Sequence, residues 1–316
     1  MTTYIIGRLV AVVPVLLGVS LLVSSMIFFL PGDPAQLMLT EMGGAAAGRV
    51  TPEQYENLRR ELGLDEPFVV HYAKFLGKAL QGDLGRSYQS RRSVLDAILE
   101  HLPSTIQLTF AGLGLAIVIG VVLGVVAALR PNSIGDNLSM FFALAGVSLP
   151  EFWLALMLIF FFSFSLGWFP ATGQGGIERL VLPAFALGLR AAATIARLTR
   201  ASMLEIMNQD YITTARAKGL AGRVVVTRHA LKNALIPVVT IVGLQFGNLM
   251  AGAVIIETVF ARQGVGRLAV DAIRMKDFPM VQGTVLFAAT AYVLTNLIVD
   301  ISYAWLDPRI RFGRSG

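Results

Sequence analysis

Few residues in this 316-residue chain are of types that do chemistry. Cysteine is absent, so disulfides, iron–sulfur clusters and Cys-ligated zinc are excluded, and redox usage says nothing about compartment. The three histidines, His71, His101 and His229, are dispersed, and none falls inside a long apolar run. No His-built metal site is expected from that spacing. Gly77-Lys78 is the single Gly-Lys pair. Tyr72 stands where a phosphate-cradling loop needs its first Gly, and Ala79 where it needs Ser or Thr, so the chain should not hydrolyse ATP. No Gly-x-Ser-x-Gly elbow and no Ser/His/Asp set at one depth supports a catalytic enzyme. What remains is polar chemistry in apolar surroundings. Glu151 lies deep in one apolar stretch, and Gln245 and Asn248 lie in another. An intramembrane carboxylate is costly to bury and marks a functional site by default; the competing reading pairs it with Arg190, Arg197 or a backbone group. Gln245 and Asn248 either hydrogen-bond neighbouring helices or line a wet path. All three are candidate path residues.

The other conspicuous stretch, residues 203–237, is polar and basic between two apolar intervals. It has no Gly or Pro until Gly219, which predicts a helix stopping there. Leu204, Met207, Tyr211 and Ala215 recur at spacings of three and four and predict one modest apolar face. Asp210, Arg216 and Lys218 set charge beside it. Such a helix can lie on lipid, cap the helices that it joins, or dock in another protein's groove. Pattern alone leaves all three open.

The elements that must position these residues are membrane helices. The chain is 55% hydrophobic and 15% charged, where a soluble domain has about 25% charged residues. Apolar runs near or beyond 18 residues recur along it, which predicts a polytopic membrane protein. The net charge of +6 sits between spans and at the C-terminus, as in cytoplasmic loops, so nucleic acid is not an expected partner. Six spans are predicted, at residues 9–30, 102–129, 137–166, 180–196, 234–256 and 280–305. The first is too long for a signal-peptide core, and Pro31-Gly32-Asp33-Pro34 is no cleavage site, so it should stay attached. The third is too long for one straight crossing, and Pro150 is the expected kink. The fourth reads as short and broken by Pro183 and Gly188. Small residues recur every four positions at Gly112, Ala116, Gly120 and Gly124, and again at Gly243 and Gly247, which predicts close helix packing.

Residues 31–101 form the long polar segment and should be external. Thr51-Pro52-Glu53-Gln54 has the order of a capping box and opens a helix ending near Gly63. Phe68, Tyr72, Phe75, Leu76 and Ala79 line a second helix closed by Gly82, and Ser93 with Asp96 opens a third. Cations outnumber acids from Arg197 to Lys232, which places that interval in the cytoplasm, and six spans then put both termini there.

Asp210-Tyr211 and Thr214-Ala215-Arg216-Ala217-Lys218-Gly219-Leu220, followed by His229-Ala230-Leu231, Asn233-Ala234 and Pro237, carry a family resemblance. They resemble the coupling loop of permease subunits in binding-protein-dependent ABC importers, in the dipeptide/oligopeptide/nickel branch. The broad family pattern is Glu-Ala-Ala, three residues, Gly, nine residues, then Ile-x-Leu-Pro. Here Thr213-Thr214-Ala215 and His229-Ala230-Leu231-Lys232 match it only at the second Ala, the Gly and the Leu; the branch's own version matches closely. Pro31-Gly32-Asp33-Pro34, Leu62-Gly63-Leu64-Asp65, Gly82-Asp83-Leu84-Gly85, Glu257-Thr258-Val259-Phe260, Gly264-Val265-Gly266 and Asp307-Pro308-Arg309-Ile310-Arg311 extend the likeness over nearly the whole chain.

The resemblance implies an all-α membrane protein: a type I importer permease core, MetI-like, with an extra N-terminal span and an external helical segment. The implied division is a first span at 1–30, an external segment at 31–101, a permease core at 98–307 with a coupling loop at 201–233, and a cytoplasmic tail at 308–316. It implies no enzyme activity and no cofactor of its own, ATP being bound by partners. Those partners are two ATPase subunits, a second homologous permease making a heterodimer, an extracytoplasmic solute-binding protein, and membrane lipid. Asp210, Tyr211, Thr214, Ala215, Arg216, Ala217, Lys218 and Gly219 would meet the ATPase. The implied cargo is short peptides, at a prokaryotic inner membrane. Nickel and glutathione are the alternatives within the architecture, and the dispersed histidines weigh against nickel. An ATP-independent channel or secondary carrier is the alternative outside it, and needs paired intramembrane charges or matched broken helices.

Overall fold

The computed structural model describes residues 2–29, 33, 35–37, 39 and 52–306. Pro31, Gly32, Pro34, the Thr51 cap, and the Asp307–Arg311 ending lie outside them. The described residues are mainly helical, with one isolated bridge between Arg86 and Ser93. In chain order the helices are α1 (Thr2–Phe28), α2 (Pro52–Glu61), α3 (Phe68–Leu80), α4 (Val94–Leu129), α5 (Ile134–Ser148), α6 (Glu151–Ser165), α7 (Glu178–Met207), α8 (Asp210–Ala217), α9 (Gly222–Val259), α10 (Val265–Arg274) and α11 (Phe278–Leu306). Five are long and apolar enough to cross a membrane, and six crossings result if α5 and α6 together count as one.

Three expected elements differ. The helix opened by Ser93 and the second span are a single helix of 36 residues, α4. Ser93 Oγ accepts the Asp96 N–H at 3.5 Å, and Pro103 is absorbed ten positions in. At 1.5 Å per residue α4 is about 54 Å long, well beyond a hydrocarbon core of about 30 Å. The fourth span is neither short nor broken: α7 runs for 30 residues through Pro183 and Gly188. Pro183 falls in its second turn and removes the helical bond to the Arg179 carbonyl, which accepts from Arg262 Nη1 at 3.4 Å instead, and Gly188 is where a neighbouring backbone approaches. At Pro150 the chain does more than kink, because α5 and α6 meet at 110°. Each of these two is about 22 Å long, so neither crosses alone. The last turns of α6, Ile159–Ser165, widen to π geometry, as do residues 225–230 near the start of α9.

The chain divides into two compact units. The first comprises residues 1–104 and 263–316. Its core joins the first turns of α4 (Val94, Ala97, Ile98) to α10 (Val265, Ala272) and α11 (Met280). A Cβ on Gly283 would lie 2.4 Å from Val94 Cγ1, so α11 passes α4 without a side chain between them. Ser24 on α1 accepts a hydrogen bond from Gln282 on α11 at 2.8 Å, and Ser20 pairs with Tyr72 on α3 at 3.0 Å. Ser87 donates to Asp277 in a buried contact.

The second unit is residues 105–262. Leu108 and Ala116 of α4, Ala155 and Leu158 of α6, Leu187, Ala191 and Ile195 of α7, and Val238, Leu249 and Ala253 of α9 form its core. The glycine stripe of α4 lies against α7. A Cβ on Gly120 would sit 2.7 Å from the Ala192 carbonyl oxygen, and one on Gly124 2.6 Å from that of Ala196. A Cβ on Gly188 would sit 2.4 Å from the Gly112 carbonyl oxygen. Ala116 is fully buried in the same seam, while on α9 Gly247 is buried and Gly243 half-buried. Helices in lipid associate through such contact, since no hydrophobic drive separates side chain from solvent.

Candidate functional site

The basic interval is not one helix. α7 ends at Met207, Asn208 and Gln209 turn the chain, and α8 starts afresh at Asp210. Thr214 donates its hydroxyl to the Asp210 carbonyl at 2.9 Å. Gly219, at φ +76°, takes the left-handed conformation that ends the helix, and its N–H reaches the Arg216 carbonyl at 2.9 Å. The turn changes the buried face from the one that the spacing predicts. Ile212 and Ala215 are the buried residues of α8, against Met203 of α7, Ala128 of α4, and Val225, Ala230 and Ala234 of α9. Leu204 and Met207 pack only partly on this cluster, and Tyr211 is 41% exposed.

Tyr211 has another partner. Its phenolic oxygen accepts a hydrogen bond from Asn233 Nδ2 at 2.8 Å, tying α8 to α9 across 22 residues of chain. Asp210, Thr214, Arg216, Ala217, Lys218 and Gly219 all face outward, with Arg216 leaning on Met207 Sδ at 3.9 Å. One side of α8 is therefore anchored on the helix ends, and the other carries mixed charge with Tyr211 and Leu220 exposed.

Beside the loop lies a pair that local spacing hid. Asp136, only 2% exposed, takes a bidentate contact from Arg200 at 2.6 and 2.7 Å. The Asn132 N–H adds a third bond at 2.9 Å, and Ser133 caps α5 through the Asp136 N–H. Ser133-x-x-Asp136 was a readable cap; the partner 64 residues away was not. The pair fixes the start of α5 to α7 with its charge neutralised.

The candidate path residues lie on two helices and the 110° break. Glu151 is the first residue of α6, and its side chain is 19% exposed. Arg190 Nη1 on α7 is 4.0 Å from its Oε1. Its other oxygen would be 3.1 Å from a Cβ on Gly252 of α9. Gln245 and Asn248 share that side of α9, seven and four residues before Gly252. Asn248 is exposed, and its amide donates to Gln245 Oε1 at 2.9 Å. That hydrogen bond joins the two along one helix.

At the far end of α9, Glu257 is fully buried and accepts from Thr105 at 2.6 Å, and Arg262 is fully buried with Gln107 at 3.2 Å. Burial pulls the Arg262 guanidinium below its ordinary range, and Glu257 opposes that pull. Sequence reading missed the knot, because two stretches 152 and 155 residues apart at their contacts build it. The first unit holds a cavity of about 660 Å³ lined by Arg60, Lys74, Lys78, Arg86 and Arg91, with Glu66 and Asp83. His71 also lines it, and burial lowers its pKa. Among the described residues no cluster of His, Asp or Glu could hold a metal ion.

Residues 120–312 match the family described as binding-protein-dependent transport system inner membrane component, and residues 1–109 match the N-terminal family of the same membrane components. The chain is 42% identical to the dipeptide transport system permease protein DppB of Alkalihalophilus pseudofirmus, over 99% of this chain and 100% of that protein. It is 41% identical to the glutathione transport system permease protein GsiC of Escherichia coli K12, over the same shares. Among solved structures, an inward-facing methionine ABC transporter, MetNI, matches with a TM-score of 0.56 at 22% identity, covering 67% of this chain and 96% of that one. An amino acid ABC transporter with histidines matches with a TM-score of 0.52 at 15% identity, covering 74% and 98%. These two carry the likeness of fold alone.

Proposed function

Because this chain belongs to the binding-protein-dependent transport system inner membrane component family, we propose that it is the permease through which an ABC importer brings short peptides across the cytoplasmic membrane. It is a multi-pass inner-membrane component, and not the ATPase of the system. The observation that carries the peptide reading is identity to a dipeptide permease over the full length of both chains. Glutathione, itself a small peptide, is the second reading, on 41% identity over an equal span.

The working complex in this reading has a second permease, two ATPase subunits and an external solute-binding protein. Both termini and α8 lie in the cytoplasm, and residues 31–101 lie outside. The permease binds no cofactor; ATP is held by the partner subunits. The outward face of α8, from Asp210 to Gly219, docks in an ATPase groove. ATP closes the ATPase pair, α8 moves with its groove, and α7 and α9 move with α8 because Ile212, Ala215 and the Tyr211–Asn233 bond join them. The energy available for the switch equals the difference in nucleotide affinity between the two states. Gly112, Ala116, Gly120 and Gly124 keep α4 and α7 as one body during that motion, with Gly243 and Gly247 serving likewise on α9. Glu151, Gln245 and Asn248 line the path.

The test is purification of the tagged chain from its host with its neighbours. An ATPase pair and a second permease should co-purify, and the reconstituted complex should take up dialanine only with ATP and the solute receptor present. Lys218→Glu with Arg216→Glu should release the ATPases. Uptake by the purified chain alone, without nucleotide, would end this reading.

A further inference from the structure

α7 has one exposed lane in its middle. From Ala191 to Ala196 the chain is buried except at Thr194, which is half-buried, and the exposed or half-exposed positions Arg190, Thr194 and Arg197 follow each other at i, i+4 and i+7. That spacing stacks them on one side of the helix. Arg190 sits 12 residues into a 30-residue span, roughly 18 Å from its start. Its side chain is 62% exposed. A guanidinium turned to lipid at that depth is strongly unfavourable, so this lane faces water or protein.

Glu151 stands at the head of the lane. Its contact with Arg190, at 4.0 Å, is at the outer limit of an ion pair and leaves both groups able to take another partner. The buried pair of the same unit, Asp136 and Arg200, closes to 2.6 Å with two parallel bonds. The two pairs therefore differ in kind: one is satisfied, and the other is held open. Gln245 and Asn248 continue the polar surface on α9, reached through Gly252, where the absence of a side chain leaves room for the Glu151 carboxylate.

We infer that Arg190, with Thr194 and Arg197 below it, receives the carboxylate of a zwitterionic cargo, while Glu151 receives its ammonium group. The inference rests on the peptide-permease reading and adds to it a specificity: the path selects cargo with both termini free. A small peptide or amino acid offers the two opposite charges that the open pair lacks. After the cargo leaves Glu151, Arg197 offers its carboxylate a second cation about two turns further along α7.

Cysteine is absent from the chain, so a single introduced thiol reports its own surroundings. In the assembled complex Arg190→Cys, Thr194→Cys and Arg197→Cys should react with a membrane-impermeant, charged methanethiosulfonate. Ala192→Cys and Ile195→Cys should not. In Thr194→Cys and Arg197→Cys, which keep Arg190, dialanine with receptor and ATP should slow labelling at least threefold. Silence at all three lane positions overturns the inference, since the lane is then covered by lipid or by the second permease. In proteoliposomes Arg190→Gln should slow dialanine uptake about tenfold and leave its C-terminal amide nearly unaffected, and Arg190→Lys should restore dialanine to within threefold. Equal slowing of both cargoes, or of neither, overturns it. If the unmodified complex shows no ATP-dependent uptake of either cargo, the functional reading itself has failed, and labelling of the lane still reports separately whether it is wet.

Discussion

The two sides of α7 solve the same problem in opposite ways. The side facing α4 and α5 has shed side chains: Gly188 meets the Gly112 backbone, Ala192 and Ala196 meet Gly120 and Gly124, and the one charge there, Arg200, is neutralised by Asp136. The opposite lane keeps Arg190, Thr194 and Arg197, with Arg190 in only a loose contact. A membrane helix excludes lipid either by packing so closely that nothing fits, or by facing a surface that is wet. The contrast teaches that charge alone does not mark a functional face; the state of its partner does.

That contrast can be broken most severely at the satisfied pair. Arg200→Met leaves the Asp136 carboxylate buried without its partner and should cost roughly 3–5 kcal/mol. Thermal unfolding in detergent reads the loss, and adding Asp136→Asn should recover most of it. Next comes the seam. Gly120→Leu places a side chain where the Ala192 carbonyl stands, at a cost of about 3 kcal/mol or more. The same unfolding assay, with the yield of assembled complex, checks it. Gly219→Val forces a β-branched residue to positive φ and should cost about 1–2 kcal/mol. Its effect should be local, seen as faster proteolysis of the loop and weaker ATPase retention while the bundle's transition barely moves. Tyr211→Phe removes one hydrogen bond to Asn233 and should cost about 1 kcal/mol. Its signature is reduced ATP-driven uptake with the ATPases still bound. The smallest effect belongs to the open lane: Arg197→Gln should leave stability within about 0.5 kcal/mol. A large loss of stability there would erase the distinction between the two sides.

Sequence patterns carried the local features well. The spacing of small residues, the stop at Gly219 and the cap at Ser93 each concern residues within a few positions of one another, and their physics is read directly. Membrane hydropathy found the apolar stretches, since backbone groups in lipid must bond internally. Other features escaped. Pro183 and Gly188 suggested a broken span, because their intrinsic preferences act against a helix; packing against the Gly112 backbone overrode them. Ser93 and residues 102–129 seemed to begin two helices, because polar residues between them marked a membrane boundary and no break in the backbone. Tyr211 was placed on an apolar face that ignored the turn at Asn208 and Gln209. The ion pair of Asp136 and Arg200, and the knot of Thr105, Glu257, Gln107 and Arg262, were beyond reach, since each depends on partners that only the folded chain brings together. Arg190 was readable as a partner for Glu151, but its exposure was not.

One consequence of the unbroken α7 concerns distance. From Arg190 to Met207 the helix has no interruption, roughly 26 Å of constant rise. Three residues later α8 begins. Between that rod and α8 lies only the turn at Asn208 and Gln209, and Ile212 of α8 packs with Met203 near the rod's end. On the proposed function, a displacement of α8 would therefore reach Arg190 through one packed joint and one straight helix, with no flexible linker between the engine and its load.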